Sequence, residues 1–148
     1  MFKPSRILVP TDMSEHSTRA LRQAFDIARH FNSEVFFLHV IQDPVRQCTI
    51  DFCIDDELFN QLQTRMFESV RHEVRKQLAL FPGIDPNSVT IIIKTGTPHD
   101  EIIKAVKENS IDLIVMASLG ADGLTRYLMG GVARHVIQGA GCSVLLTK

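Results

Sequence analysis

Two short stretches carry the residue types that could meet a ligand. The first is Pro10-Thr11-Asp12; the second begins at Ala117-Ser118-Leu119-Gly120 and continues through Gly123 to the paired Gly130-Gly131. Glycines let backbone approach a bound group closely, and a helix that starts at Gly130-Gly131 would aim unpaired N–H groups and the positive end of its dipole at an anion. The chemistry expected of such a pair is the holding of a phosphate-bearing molecule. On the loop alone, glycines of this kind read more readily as plain turn residues than as a phosphate cradle. The Walker pattern Gly-x4-Gly-Lys-Ser/Thr is missing, as is Gly-x-Gly-x-x-Gly after the first strand, which argues against a P-loop NTPase or a dinucleotide enzyme.

Other reactive residue types lack partners at useful spacing. His16, His30, His39, His72, His99 and His135 fall in different segments, and none has the His-x3-His or His/Cys spacing of a metal site. Cys48, Cys53 and Cys142 form an odd set; Cys48 and Cys53 could make a redox pair but do not read Cys-x-x-Cys. Ser118 and His135 lack an orienting acid, and no Gly-x-Ser-x-Gly elbow is present, so covalent hydrolysis has little support.

The elements that must position the two stretches follow from periodicity. Ile7-Leu8-Val9-Pro10 predicts a buried first strand ended by proline. Ser14 or Asp12 caps a helix whose apolar residues Ala20, Leu21, Ala24, Phe25, Ile27, Ala28 and Phe31 recur at helical spacing up to Asn32. Glu34 to Ile41 is the second strand. Asp43 to about Asp55 lacks periodicity and reads as a loop. The stripe Leu58, Leu62, Met66, Val70, Val74, Leu78, Leu80-Phe81 predicts the longest helix, stopped by Pro82-Gly83. Val89 to Lys94 is strand three, Thr97 caps a helix with Pro98 in its first position, and Ile111 to Ser118 is strand four. A helix through Val132, Ala133, Val136 and Ile137 and a strand from Ser143 to Thr147 complete the set.

Strands alternating with helices predict an α/β domain with helices on both faces of a parallel sheet. With the first strand central, the ligand crevice falls at the carboxyl ends of strands one and four, where strand order reverses. The 148 residues suit one domain, and 16 Lys plus Arg against 17 Asp plus Glu give a formal charge of −1, so no global field attracts nucleic acid or an anionic membrane. No stretch reaches membrane-spanning length, the run after Met1 to Arg6 is too short for a signal peptide, and the cysteine usage fits a reducing cytoplasm.

The chain resembles the universal stress protein family over essentially its whole length, on Arg6-Ile7-Leu8-Val9-Pro10-Thr11-Asp12, Leu38-His39-Val40-Ile41, Gly96-Thr97-Pro98 and Cys142-Ser143-Val144-Leu145-Leu146. The ATP-binding branch carries Gly-x2-Gly-x9-Gly-Ser/Thr after strand four; here the frame reads Ala117-x2-Gly120-x9-Gly130-Gly131. Spacing is kept while Ala117 and Gly131 differ in identity, and Ala121-Asp122 stands where the family often has a basic residue.

The resemblance implies a three-layer, Rossmann-like fold of the adenine nucleotide alpha hydrolase type, with four helices and an open five-stranded sheet ordered 3-2-1-4-5. It implies a site for ATP, with or without Mg²⁺, or for AMP or ADP, lined by Pro10, Thr11, Asp12, Val40, Met116, Ala117, Gly120, Gly130, Gly131 and Val132. In that site Asp12 meets ribose or phosphate, the Val40 backbone meets adenine, and Gly120, Gly130 and Gly131 hold phosphates. Arg126 or Arg134 could offset phosphate charge, though both also read as solvated helix charges. No protein metal ligand and no catalytic residue is expected; Asp12 is the one candidate base for slow hydrolysis. The resemblance further implies a homodimer through the edge strand Ser143, Val144, Leu145, Leu146 and Thr147. A regulatory protein that reads nucleotide occupancy is the expected partner. The alternatives are a nucleotide-free interaction module of the same family and, more remotely, an adenylating enzyme.

Overall fold

The computed structural model describes residues 1–42, 55–119 and 129–148. The chain runs β1 (Arg6–Thr11), α1 (Glu15–Phe31), β2 (Glu34–Ile41), α2 (Asp56–Leu78), a 3-10 turn (Pro86–Ser88), β3 (Val89–Thr95), α3 (Pro98–Glu108), β4 (Leu113–Ala117), α4 (Gly131–Gly139) and β5 (Ser143–Thr147). The five strands form one parallel sheet ordered β3-β2-β1-β4-β5, the order the resemblance implies. The loop expected from Asp43, with Cys48 and Cys53, and the stretch holding Gly120, Ala121, Asp122, Gly123 and Arg126 lie outside the described residues.

Strand alternation divides the apolar residues between two faces. Ile7, Val9, Val35, Phe37, Val89, Leu113 and Val115 pack with Ala20, Leu21, Ala24, Phe25 and Ala28 of α1 and Val74 and Leu78 of α2. Leu8, Phe36, Leu38, Ile114 and Met116 pack on the other face against Ile102, Ala105 and Val106 of α3 and Ala133 and Val136 of α4. The central strand contributes Ile7, Leu8 and Val9, all fully buried. Among the described residues no helix is long and apolar enough to cross a membrane.

Among the boundaries that differ from the sequence expectation, three have a visible physical cause. β1 runs through Pro10 to Thr11 instead of ending at the proline, because its pairing with β2 continues to Thr11↔His39 while its pairing with β4 covers only Ile7↔Leu113 and Leu8↔Ile114. A residue without an N–H is tolerated in a central strand where one ladder has already stopped.

β4 begins at Leu113 rather than Ile111. The Ile111 N–H closes the end of α3 on the Val106 carbonyl, and Asp112 is used as a clasp: its carboxylate accepts from the Ser5 N–H (2.8 Å), the Ser5 hydroxyl (2.6 Å) and the Arg6 N–H (3.2 Å). The long helix stops at Leu78, before Leu80-Phe81, and Phe81 then packs edge-on against Phe25 at 5.2 Å. Its apolar stripe is buried only in the second half, with Leu58 46% and Leu62 38% exposed. A helix of 23 residues is about 34 Å long, whereas a strand of seven residues, the length of β3, spans only about 23 Å. The first turns of α2 therefore overrun the sheet.

The Asp112 clasp predicts a pH effect. Burial works against its charge, but the hydrogen bonds from Ser5 and Arg6 outweigh that and hold the carboxyl below its ordinary value. A group depressed in the folded state stabilises above its unfolded pKa and loses that contribution as pH falls through the folded one. Asp112→Ala is expected to cost about 1 kcal/mol at pH 7. The gap from the parent should close in urea melts taken in acid, below the usual carboxylate range.

Candidate functional site

The crevice expected between strands one and four is opened by the short β1–β4 ladder. Beyond Leu8 and Ile114 the two strands are no longer paired, although each stays paired to its outer neighbour: β1 to β2 through Thr11↔His39, and β4 to β5 through Ala117↔Thr147. The Ser118 N–H donates to the Thr147 carbonyl (2.9 Å), and the Gly130 N–H donates to the Ser118 carbonyl (2.9 Å). The start of α4 is thereby tied to the end of β4.

Gly130 is the N-cap of α4 (φ −59°, ψ 153°) and makes no side-chain cap bond, so the first-turn N–H groups are not spent on a capping oxygen. α4 has no acidic residue in its first turn, and among the described residues a Cβ built on Gly131 meets nothing within 4 Å. An uncapped helix start with open space at its first residue is suited to an anion. The His135 Nδ1–H donates to the Gly131 carbonyl (2.7 Å) and steadies that turn, while the His135 ring stacks on His99 at 4.4 Å.

On the β1 side, Ser14 is the helix cap: its hydroxyl accepts from the Ser17 N–H. Asp12 instead accepts from the Ser14 N–H through Oδ1 (3.0 Å), a local turn that leaves its carboxylate at the exposed mouth of the crevice. Met13, between them, has φ +65°, a left-handed conformation that costs a side-chain-bearing residue about 1 kcal/mol. That turn is held from beneath. The Met13 N–H donates to the Thr11 hydroxyl (3.0 Å), which donates to Gln77 Oε1 (2.8 Å) and lies 2.9 Å from the Ser17 hydroxyl; Gln77 Nε2 donates to Thr18 (2.8 Å) and Ser17 (3.2 Å). Thr11, Ser17 and Gln77 are all buried. The Thr11 carbonyl accepts from His39 Nδ1–H (2.8 Å), which ties β2 to the same turn.

The structure thus brings Pro10, Thr11 and Asp12 together with Ala117, Ser118, Gly130, Gly131 and Val132 at the carboxyl ends of neighbouring strands. Val40 lies near the end of β2 on the α3 side. Met116 has its side chain in the core, which leaves its backbone to face the crevice. Gly120 is outside the described residues. Thr97 occupies the N-cap of α3 as expected, with Pro98 in the first turn, but makes no side-chain cap bond. Gln77, Ser17, Thr18 and His39 were not singled out as positioning residues by sequence. Gln77 carried a signal, since it falls seven residues after Val70 and three after Val74, on the apolar stripe of α2.

Among the described residues no group of three or more His, Cys, Asp and Glu could hold a metal ion. Cys142 is pushed toward a higher pKa by burial and then by the Asp112 charge, which makes it a poor thiolate.

The fold and crevice define a doubly wound α/β protein with an anion-suited helix start at its switch point. The sequence profile of the universal stress protein family matches residues 3–148, and the chain belongs to that family. It is 32% identical over 143 residues to universal stress protein MJ0531 of Methanocaldococcus jannaschii, covering 97% of this chain and 81% of that one. The solved structure of MJ0577, a universal stress protein of the same organism, superposes with a TM-score of 0.80 at 29% identity, over 99% of this chain and 97% of that chain. A universal stress protein of Archaeoglobus fulgidus solved in complex with dAMP has a TM-score of 0.59 at 23% identity, over 99% and 100% of the chains.

Proposed function

We propose that this protein binds an adenine nucleotide, ATP foremost, between the ends of β1 and β4. In this reading it acts as a cytoplasmic stress-response or regulatory protein whose occupancy a partner reads, rather than as an enzyme. The observation that carries the reading is the start of α4: two glycines, no capping side chain, and open space at the first residue, tied to the end of β4. Phosphates would lie against the Gly130 and Gly131 backbone, with Asp12 toward the ribose and the Val40 backbone toward adenine. Arg134 or a Mg²⁺ ion carried by the nucleotide would offset charge. The dAMP complex of the Archaeoglobus fulgidus protein supports adenine as the base.

The test is titration of nucleotide-stripped protein with ATP, ADP and AMP, with and without Mg²⁺. Absence of binding at millimolar ATP rejects this function and leaves the nucleotide-free interaction module. That second reading draws on Gly131, which lacks the hydroxyl found at the corresponding motif position. Gly131→Ser has room for its side chain and adds a hydrogen bond to a charged phosphate, for which about a tenfold gain in ATP affinity is expected by calorimetry.

The same proposal includes a homodimer through β5. This strand lies at the sheet edge, with Val144, Leu145 and Leu146 only half-buried, and such an edge favours pairing with a second copy. Light scattering at micromolar concentration tests it, and a monomer rejects it.

A further inference from the structure

The other edge of the sheet is β3, Val89-Thr90-Ile91-Ile92-Ile93-Lys94-Thr95, paired on one side only among the described residues. A run of five β-branched residues, Val89 to Ile93, without proline is a strong template for another strand, and proteins usually blunt or use such an edge. Ile91 faces the core under α1 and α2 and Ile92 the opposite core, each partly buried, so both side-chain rows are anchored. The outer backbone groups are what the edge offers.

Beside this edge, Phe67, Arg71 and Arg75 form an i, i+4, i+8 row on α2. Together with Ile91, Ile92, Ile93 and Lys94 they line an open cleft of about 450 Å³. Lys94 is already 3.4 Å from Glu108, whereas Arg71 and Arg75 are exposed and have no carboxylate within ion-pair distance among the described residues. An adjoining cleft of about 500 Å³, lined by Gln63, Thr64, Phe67, Glu68 and Arg71, carries the Glu68 carboxylate and confines the positive charge to the Arg71–Arg75 end.

Residues four apart on a helix rise about 6 Å, and residues two apart on a strand about 6.6 Å. Two guanidiniums one turn apart therefore match carboxylates at alternate positions of an added strand, each pair able to form forked hydrogen bonds. We propose that the β3 edge and the Arg71–Arg75 row of α2 form a docking groove for an extended acidic segment of a partner protein, which adds to the sheet as a strand. Main-chain pairing supplies affinity, and the arginines supply selection for alternating acidic residues. The groove is distinct from the nucleotide crevice and from β5, so this docking stands without either.

The probe is a fluorescein-labelled seven-residue peptide of alternating glutamate and valine, titrated against the full chain by anisotropy, with a lysine–valine peptide as control. Saturable binding is expected, at least about tenfold tighter than for the control and weakened about tenfold by the double variant Arg71→Glu/Arg75→Glu. Amide exchange should slow across residues 89–95. The milder pair Arg71→Gln/Arg75→Gln should move affinity in the same direction, which guards against a folding artefact of charge reversal. Equal binding of both peptides, no saturable binding, protection confined to β5, or retention by phosphatidylserine vesicles without peptide binding would each overturn the proposal.

Discussion

Gly130→Val is expected to weaken ATP binding by about a hundredfold or more, close to 3 kcal/mol, while the protein stays folded. The backbone at Gly130 (φ −59°, ψ 153°) lies in a region open to valine, so the substitution adds no conformational strain. Its N–H bond to the Ser118 carbonyl also survives. What changes is the surface: an isopropyl group would stand where the proposed site places phosphate oxygens against the first turn of α4, and would separate them from the N–H groups and the dipole. As an N-cap valine is poorer than glycine, which sets a stability loss of about 1 kcal/mol or less. Calorimetry with ATP and a thermal melt on the same sample separate the two effects. Unchanged ATP affinity in a folded variant would place the nucleotide elsewhere.

Strands and helices are legible in the sequence because each strand is a short apolar run and each helix carries its own period; the sheet order follows from the family resemblance, and the candidate site from the rule that ligands meet parallel sheets at a switch point. Pro10 shows where that reading stopped. Proline suggested the end of β1, but the strand continues for one more residue because the ladder on the β4 side has already ended; the number of rungs between two strands is a tertiary property that local residue types do not encode. Leu58 and Leu62 show a second limit. Their spacing is correct for a buried stripe, yet burial depends on whether the sheet extends beneath them. The His99–His135 stack joins residues 36 positions apart across two helices, which single-chain spacing cannot reveal. Gln77 is the opposite case, since a polar residue on an apolar stripe is visible in the sequence and marks a buried partner set.

That partner set carries the second large effect. Gln77→Leu keeps the volume and helix propensity of the site but removes both the acceptor of the Thr11 hydroxyl and the donor to Thr18 and Ser17. Buried hydroxyls left without a partner cost about 1–3 kcal/mol each in the unfavourable limit, and Thr11 and Ser17 can still bond to one another. A net loss of about 2 kcal/mol is therefore expected in urea unfolding. The consequence for binding is separate from the consequence for folding. Thr11 is the acceptor that holds Met13 in its left-handed conformation, and Met13 lies between Asp12 and the helix cap Ser14. A Thr11 side chain free to rotate would let that turn relax and move the Asp12 carboxylate from the crevice mouth. ATP affinity, measured well below the unfolding transition, should fall severalfold in Gln77→Leu, and Gln77→Glu, which retains the acceptor for Thr11, should recover most of it. Loss of stability with unchanged affinity in both variants would reduce Gln77 to a core residue and separate the β1 turn from the network beneath it.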